Sequence, residues 1–133
     1  MKTINQKSAE VFQKLIKLLD GKQHLKIDNT NNTFMPLSIE YLNTIDICGK
    51  IADVYSLAHY YKQNGDLVPD PDMTFAVYNL KPSYIWAMSY QDNRKYEESI
   101  YFADGWKTNR KMQKDHTVFA GKWLQNIKHQ QNI

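Results

Sequence analysis

One histidine and three aspartates fall in a single short stretch of this chain: His59, then Asp66, Asp70 and Asp72. An imidazole and carboxylates brought together can hold a divalent cation. A carboxylate that orients an imidazole can also make a general base. A metal-dependent hydrolase or nuclease built on these four residues is therefore the enzymatic alternative. The spacing matches no defined metal motif, and Asp70-Pro71-Asp72 lacks the later glycine and glutamate of a calcium loop. The stretch holds no nucleophile of its own; Ser56 and Ser89 are the candidates nearby. A structural account asks less of the residues. Asp66 follows a turn glycine and can accept backbone N–H groups, while Asp70 and Asp72 flank Pro71 and can fix the chain path. His59 is then the partner of a carboxylate. That account is preferred, and no catalytic residue, metal or cofactor is expected.

The element that must position these groups is a hairpin. Asn64-Gly65 separates two β-prone runs, and this dipeptide suits a type I′ turn, which needs positive φ at both central residues. Residues 51–63 and 73–78 are expected to pair antiparallel across it. In regular register His59 faces Asp70, Leu57 faces Asp72 and Val54 faces Phe75, which puts His59, Asp70 and Asp72 on one face. Pro69 and Pro71 donate no hydrogen bond, so this arm cannot be a central strand there; it is an edge or carries a bulge. One bulged residue would separate the histidine from an aspartate.

Around the hairpin the periodicity changes. Residues 8–20 place Phe12, Leu15, Ile16 and Leu19 at helical spacing, and Gly21 follows as a stop. Residues 24–27 suit a short strand, and residues 28–33 a loop by composition. Met35, Leu37, Ile39 and Tyr41 alternate as in a half-buried strand. Residues 51–62 also fit helical spacing, but β-branched and aromatic content favours a strand. Tyr84, Trp86, Met88 and Tyr90 alternate, residues 91–94 supply a turn, and Tyr96, Glu98, Ile100 and Phe102 alternate again as the second arm of a hairpin. From about Thr108 the period is helical, with Met112, His116, Phe119, Trp123 and Ile127 on one stripe. The expected fold is α+β: a largely antiparallel sheet of about five to six strands, with an N-terminal and a C-terminal helix packed on it. Trp123, Phe119, Trp86 and Tyr84 are expected as core anchors, His116 as buried, and Trp106 as partly exposed.

At 133 residues, 42% hydrophobic and 13% aromatic, the chain suits one globular domain spanning 1–133. No apolar run approaches the roughly 20 residues of a membrane span. Residues 15–19 are interrupted by Lys17 and no small-residue cleavage site follows, so no signal peptide is expected. Cys48 stands alone, which excludes an internal disulfide. A cytoplasmic location is the simplest expectation.

Charge is unevenly spread. Residues 1–26 hold six lysines against Glu10 and Asp20, residues 27–106 hold five basic against eleven acidic residues, and residues 107–133 hold six basic residues against Asp115. Solvated lysine faces on two terminal helices explain the basic ends most simply; the sharper alternative is a footprint for nucleic acid. On the last helix Lys107, Lys111, Lys114 and Lys122 share one broad sector. They join the basic N-terminus in a continuous patch only if Lys2, Lys7 and Lys14 approach it.

No phosphate loop, dinucleotide fingerprint, nucleophile elbow or zinc pair occurs. The run from Ser56 to Leu67 (SLAHYYKQNGDL) and then Asp70-Pro71-Asp72-Met73-Thr74-Phe75 resembles the core of an uncharacterised bacterial family. That domain of unknown function is associated with conjugative elements, plasmids and phage, and shares an H-Y, N-G-D-L, D-P-[DE]-M pattern. Tyr90-Gln91-Asp92 and Trp123-Leu124 fit more loosely. The resemblance implies a small cytoplasmic accessory protein of a mobile element and carries over no catalytic residue. The expected function is therefore non-enzymatic binding. The candidate residues are His59, Asn64, Asp66, Asp70 and Asp72 on the hairpin, and Lys111 and Lys114 on the last helix. A protein partner on the acidic hairpin surface is favoured slightly over nucleic acid on the basic helices, because the central acids would repel phosphates.

Overall fold

The structure, a computed structural model, describes residues 1–29 and 34–133. Two helices and a six-stranded sheet make an α+β fold. The chain runs α1 (Gln6–Leu19), β1 (His24–Ile27), β2 (Leu37–Ile47), β3 (Lys50–Gln63), β4 (Asp66–Tyr78), β5 (Ile85–Gln91), β6 (Tyr96–Glu98), β7 (Ile100–Phe102), β8 (Trp106–Thr108) and α2 (Arg110–Gln131). Strands β1 to β6 lie in sequence order, each antiparallel to the next, and β7 and β8 form a separate small ribbon. Residues 30–33 of the expected loop lie outside the described residues. No helix among the described residues is long and apolar enough to cross a membrane.

Local chemistry explains the helix ends. Asn5 caps α1 by accepting the Ser8 N–H at 2.8 Å, and Asn109 caps α2 by accepting the Met112 N–H at 3.1 Å. Both helices lie on one face of the sheet. Phe12, Leu15, Leu124 and Ile127 pack there against Leu37, Ile39, Leu57, Met73, Phe75 and Ile85. The opposite face buries a smaller cluster of Ile47, Ala52, Val54, Ala76, Trp86 and Met88 at one end, closed by Ile100 and Trp106 of the ribbon. Trp106 donates its indole N–H to the Asp46 carbonyl at 2.7 Å, which ties the ribbon to the sheet.

The structure corrects several expectations. Strand β2 continues to Ile47 and turns at Cys48-Gly49, where both residues have positive φ; this hairpin was not expected. The alternating run 96–102 is not one strand. It breaks at Ser99, whose N–H bonds the Met88 carbonyl, and the chain leaves the main sheet there. Tyr84 is 40% exposed and Phe119 38%, so neither is a core anchor, whereas Trp123 is buried.

The Asn64-Gly65 turn forms, with φ of 53° and 86°. From Gln63↔Asp66 to Tyr60↔Pro69 the pairing is regular, but Ala58 then faces Asp72, Leu57 faces Met73 and Val54 faces Ala76. Asp70 and Pro71 together oppose His59 as a bulge. A proline cannot supply the ladder donor at that position, and the extra residue turns the rest of β4 by one step. His59, Asp70 and Asp72 therefore do not share one face.

Candidate functional site

His59 lies on the helix-covered face. Its ring meets Trp123 of α2 edge-on at 5.4 Å, and the indole N–H of Trp123 donates to His59 Nδ1 at 3.4 Å. With Nδ1 accepting, the neutral ring carries its proton on Nε2, which is buried and has no hydrogen-bond partner among the described residues. Burial pushes the imidazole below its ordinary value, and the Asp70 charge opposes that shift. His59 is thus a neutral core group beneath a tryptophan.

Asp72 lies on the helix-free face, where it accepts Ser56 Oγ–H at 2.8 Å and Tyr60 O–H at 3.5 Å. Burial pushes its carboxyl up; the two hydroxyl donors pull it down, and Glu40 adds a smaller upward push. It borders a polar rank that crosses five strands in register: Glu40, Ser56, Thr74, Ser89 and Glu98. Asp70 is exposed, and Asn64 and Asp66 are exposed at the tip of the hairpin. Among the described residues no three His, Cys, Asp or Glu side chains converge to hold a metal ion.

The two lysines also part company. Lys111 lines a cleft of about 420 Å³ between α2 and β5–β6, with Tyr90, Lys95, Glu97, Asp115, His116 and Phe119. Lys114 lines a separate depression with Lys2, Arg110 and Gln113.

The cleft contains a constellation that the sequence did not expose. His116 places Nδ1 3.2 Å from Ser99 Oγ and Nε2 3.1 Å from Glu97 Oε1, with its ring stacked on Tyr90. The bond from His116 holds Glu97 below the usual carboxylate range. A serine, histidine and carboxylate in series suggest a nucleophile and its base. However, Ser99 is fully buried, with Oγ within hydrogen-bond reach of the Ala87 and Met88 carbonyls. No substrate atom can approach it, so the series serves to tie α2 to the strand break. Only the place of His116 on the apolar stripe could have signalled it.

The hairpin is the least covered part of the sheet. Pairing of β3 with β2 ends at His59, and pairing of β4 with β5 ends at Asp72. Residues 60–71 therefore project as a two-stranded arm with no further ladder partner among the described residues. The model of a family described as a domain of unknown function (DUF6908) matches residues 7–133. The chain belongs to that family. No curated protein and no solved structure matches it. The DUF6908 match takes in both helices, the whole sheet and the projecting arm, so the arm is part of the domain itself.

Within the arm the hydrogen-bond direction follows from the turn. Gln63 and Asp66 close a two-residue loop and exchange hydrogen bonds, so Tyr61 and Val68 do likewise. Lys62↔Leu67 and Tyr60↔Pro69 are the intervening pairs, whose N–H and C=O groups point outward. Pro69 lacks one of those donors, which blunts the β4 edge. On the β3 edge Lys62 keeps both groups, whereas the Leu37↔His59 pair turns the Tyr60 N–H toward the Pro36 carbonyl and leaves only the Tyr60 carbonyl unpaired by β2. Leu67, 64% exposed, stands at the end of the arm.

Proposed function

We propose that this protein is a non-enzymatic binding module, a cytoplasmic accessory protein of a bacterial mobile element, and that it docks a protein partner on the β3–β4 arm. The observation that carries this is the free β3 edge of the arm. Lys62 offers an outward donor and acceptor and Tyr60 an outward carbonyl, and a short extended segment of a partner can add to them as a further strand. Leu67 at the arm's end offers apolar contact. The mobile-element setting rests on the resemblance of the His59 to Met73 stretch. The hydrolase alternative finds no support in the geometry, since the bulge puts Asp72 on the other face of the sheet from His59.

Peptides selected from a displayed library against the whole protein test the docking edge. Lys62→Pro removes one outward N–H and leaves the β3–β4 ladder intact, so the variant should keep its unfolding midpoint and bind the selected peptides at least tenfold more weakly, a loss of about 1.4 kcal/mol. Peptides that bind Lys62→Pro as tightly as the parent would place docking elsewhere.

A further inference from the structure

Beside the packing of α1 on α2, a buried glutamine joins the two basic ends of the chain at Lys2. Gln113, 2% exposed, accepts the Lys2 backbone N–H on Oε1 at 2.9 Å and donates from Nε2 to the Lys2 carbonyl at 2.8 Å. Two residues on, the Ile4 N–H donates to the Ile85 carbonyl at 3.0 Å, and Ile4 is buried. The segment before α1 is thereby pinned between α2 and β5. The clamp uses only backbone atoms of Lys2, so its ammonium is left for other work.

Lys2 joins Arg110 and Lys114, one turn apart on α2, around a depression of about 320 Å³ that no carboxylate lines. Among the described residues none of these three cations forms an ion pair. The acids that could neutralise them are placed elsewhere. Glu97 and Asp115 line the neighbouring cleft, and Glu40 and Glu98 belong to the rank on the helix-free face. Grouped cations without counter-charge raise the local potential and favour an anionic ligand.

We infer that this depression binds the sugar–phosphate backbone of nucleic acid, without reading its bases. Gln113, the one buried polar side chain that lines it, is already satisfied by Lys2, so nothing rigid is left to fix a single phosphate. Lys2, Arg110 and Lys114 spread three charges around the depression, which suits successive phosphates along one backbone. No aromatic side chain lines the depression on which a base could stack. This site is distinct from the arm, and its occupant is independent of the protein partner proposed there.

Anisotropy of a labelled oligonucleotide of about 20 nucleotides, single-stranded and duplex, tests the inference at about 50 to 200 mM salt. Three phosphate contacts predict a slope of about −2 to −3 for log affinity against log salt. Combined Lys2→Glu, Arg110→Glu and Lys114→Glu changes should weaken binding more than about tenfold, while Lys22→Glu with Lys26→Glu, at the far edge of the sheet, should change it less than about twofold. Matching circular dichroism and unfolding midpoints show that each variant is folded. Four results would overturn the inference: no binding by the parent at the lowest salt, an equal loss in the far-edge variant, stronger binding to poly-glutamate, or full displacement by inorganic phosphate. The third would assign the depression to an acidic protein and the fourth to a discrete phosphate.

Discussion

Replacing Gly65 by valine should loosen the arm and spare the rest of the sheet. Gly65 has φ of 86°, and a Cβ built there meets nothing within 4 Å. The cost is therefore conformational alone, not a clash. A side chain at left-handed φ costs about 1–2 kcal/mol, with a β-branched residue at the upper end. Beyond Tyr60 and Pro69 the two strands of the arm pair only with each other, so the penalty falls on local opening. At about 1–2 kcal/mol the opening equilibrium rises roughly 5- to 30-fold. Native-state hydrogen exchange reads this at the amides of Tyr61 and Val68, which point into the arm's own ladder. Those amides should exchange faster by that factor, while Phe75 and Ala87, buried beneath the helices, keep their protection under conditions where they exchange through smaller openings. Gly65→Asn should recover much of the loss, because asparagine tolerates the left-handed region. Unchanged exchange at Tyr61 and Val68 would refute the turn assignment. An equal loss at Phe75 and Ala87 would refute the independence of the arm.

Three further outcomes follow from the charges around His59 and Asp72. Burial holds the folded His59 below its unfolded value of about 6.5, so its contribution to stability is full above that pH and is lost as pH falls through the lowered folded value. The urea midpoint should drop with acidification in that window, and His59→Phe should flatten the drop; an identical pH profile in the variant would contradict the assignment. Asp72 is displaced the other way, upward, so at neutral pH the fold carries a partly buried charge that it would hold more easily protonated. Asp72→Asn keeps an acceptor for Ser56 Oγ–H without that charge, and its melting temperature at neutral pH should equal or exceed the parent's; a fall of several degrees would count against the upward shift. Zinc, manganese or magnesium should leave the melting temperature unmoved, since an ion that bound the native state alone would raise it with concentration. A metal-dependent rise abolished by Asp70→Asn and Asp72→Asn would restore the hydrolase alternative.

Much of the fold was written in local pattern. Residues 8–20 and the stripe from Met112 to Ile127 repeat at helical spacing because one side of each helix must face a core. The Asn64-Gly65 turn was legible because few residues tolerate positive φ. The Cys48-Gly49 turn needs the same geometry and was missed, since only its glycine carries the signal. The break at Ser99 was hidden for a related reason. Residues 96–102 alternate without interruption, and alternation records which way side chains point but not which strand they pair with.

The candidate site depended on facts that no local pattern contains. The types His59, Asp70 and Asp72 were plain in the sequence, and Pro69 and Pro71 warned of an edge or a bulge. Which face each side chain took was decided by one extra residue opposite His59, because strand side chains alternate with period two and a single step reverses every residue beyond it. The basic termini were equally plain as composition. Whether Lys2 came near Arg110 and Lys114 turned on Gln113, which lies far along the chain and binds backbone atoms common to every residue type. Sequence fixes periodicity and turn chemistry because both are properties of neighbours. Register beyond a bulge, and the meeting of distant charges, belong to the folded molecule because they depend on hydrogen bonds between groups that the chain itself does not place side by side.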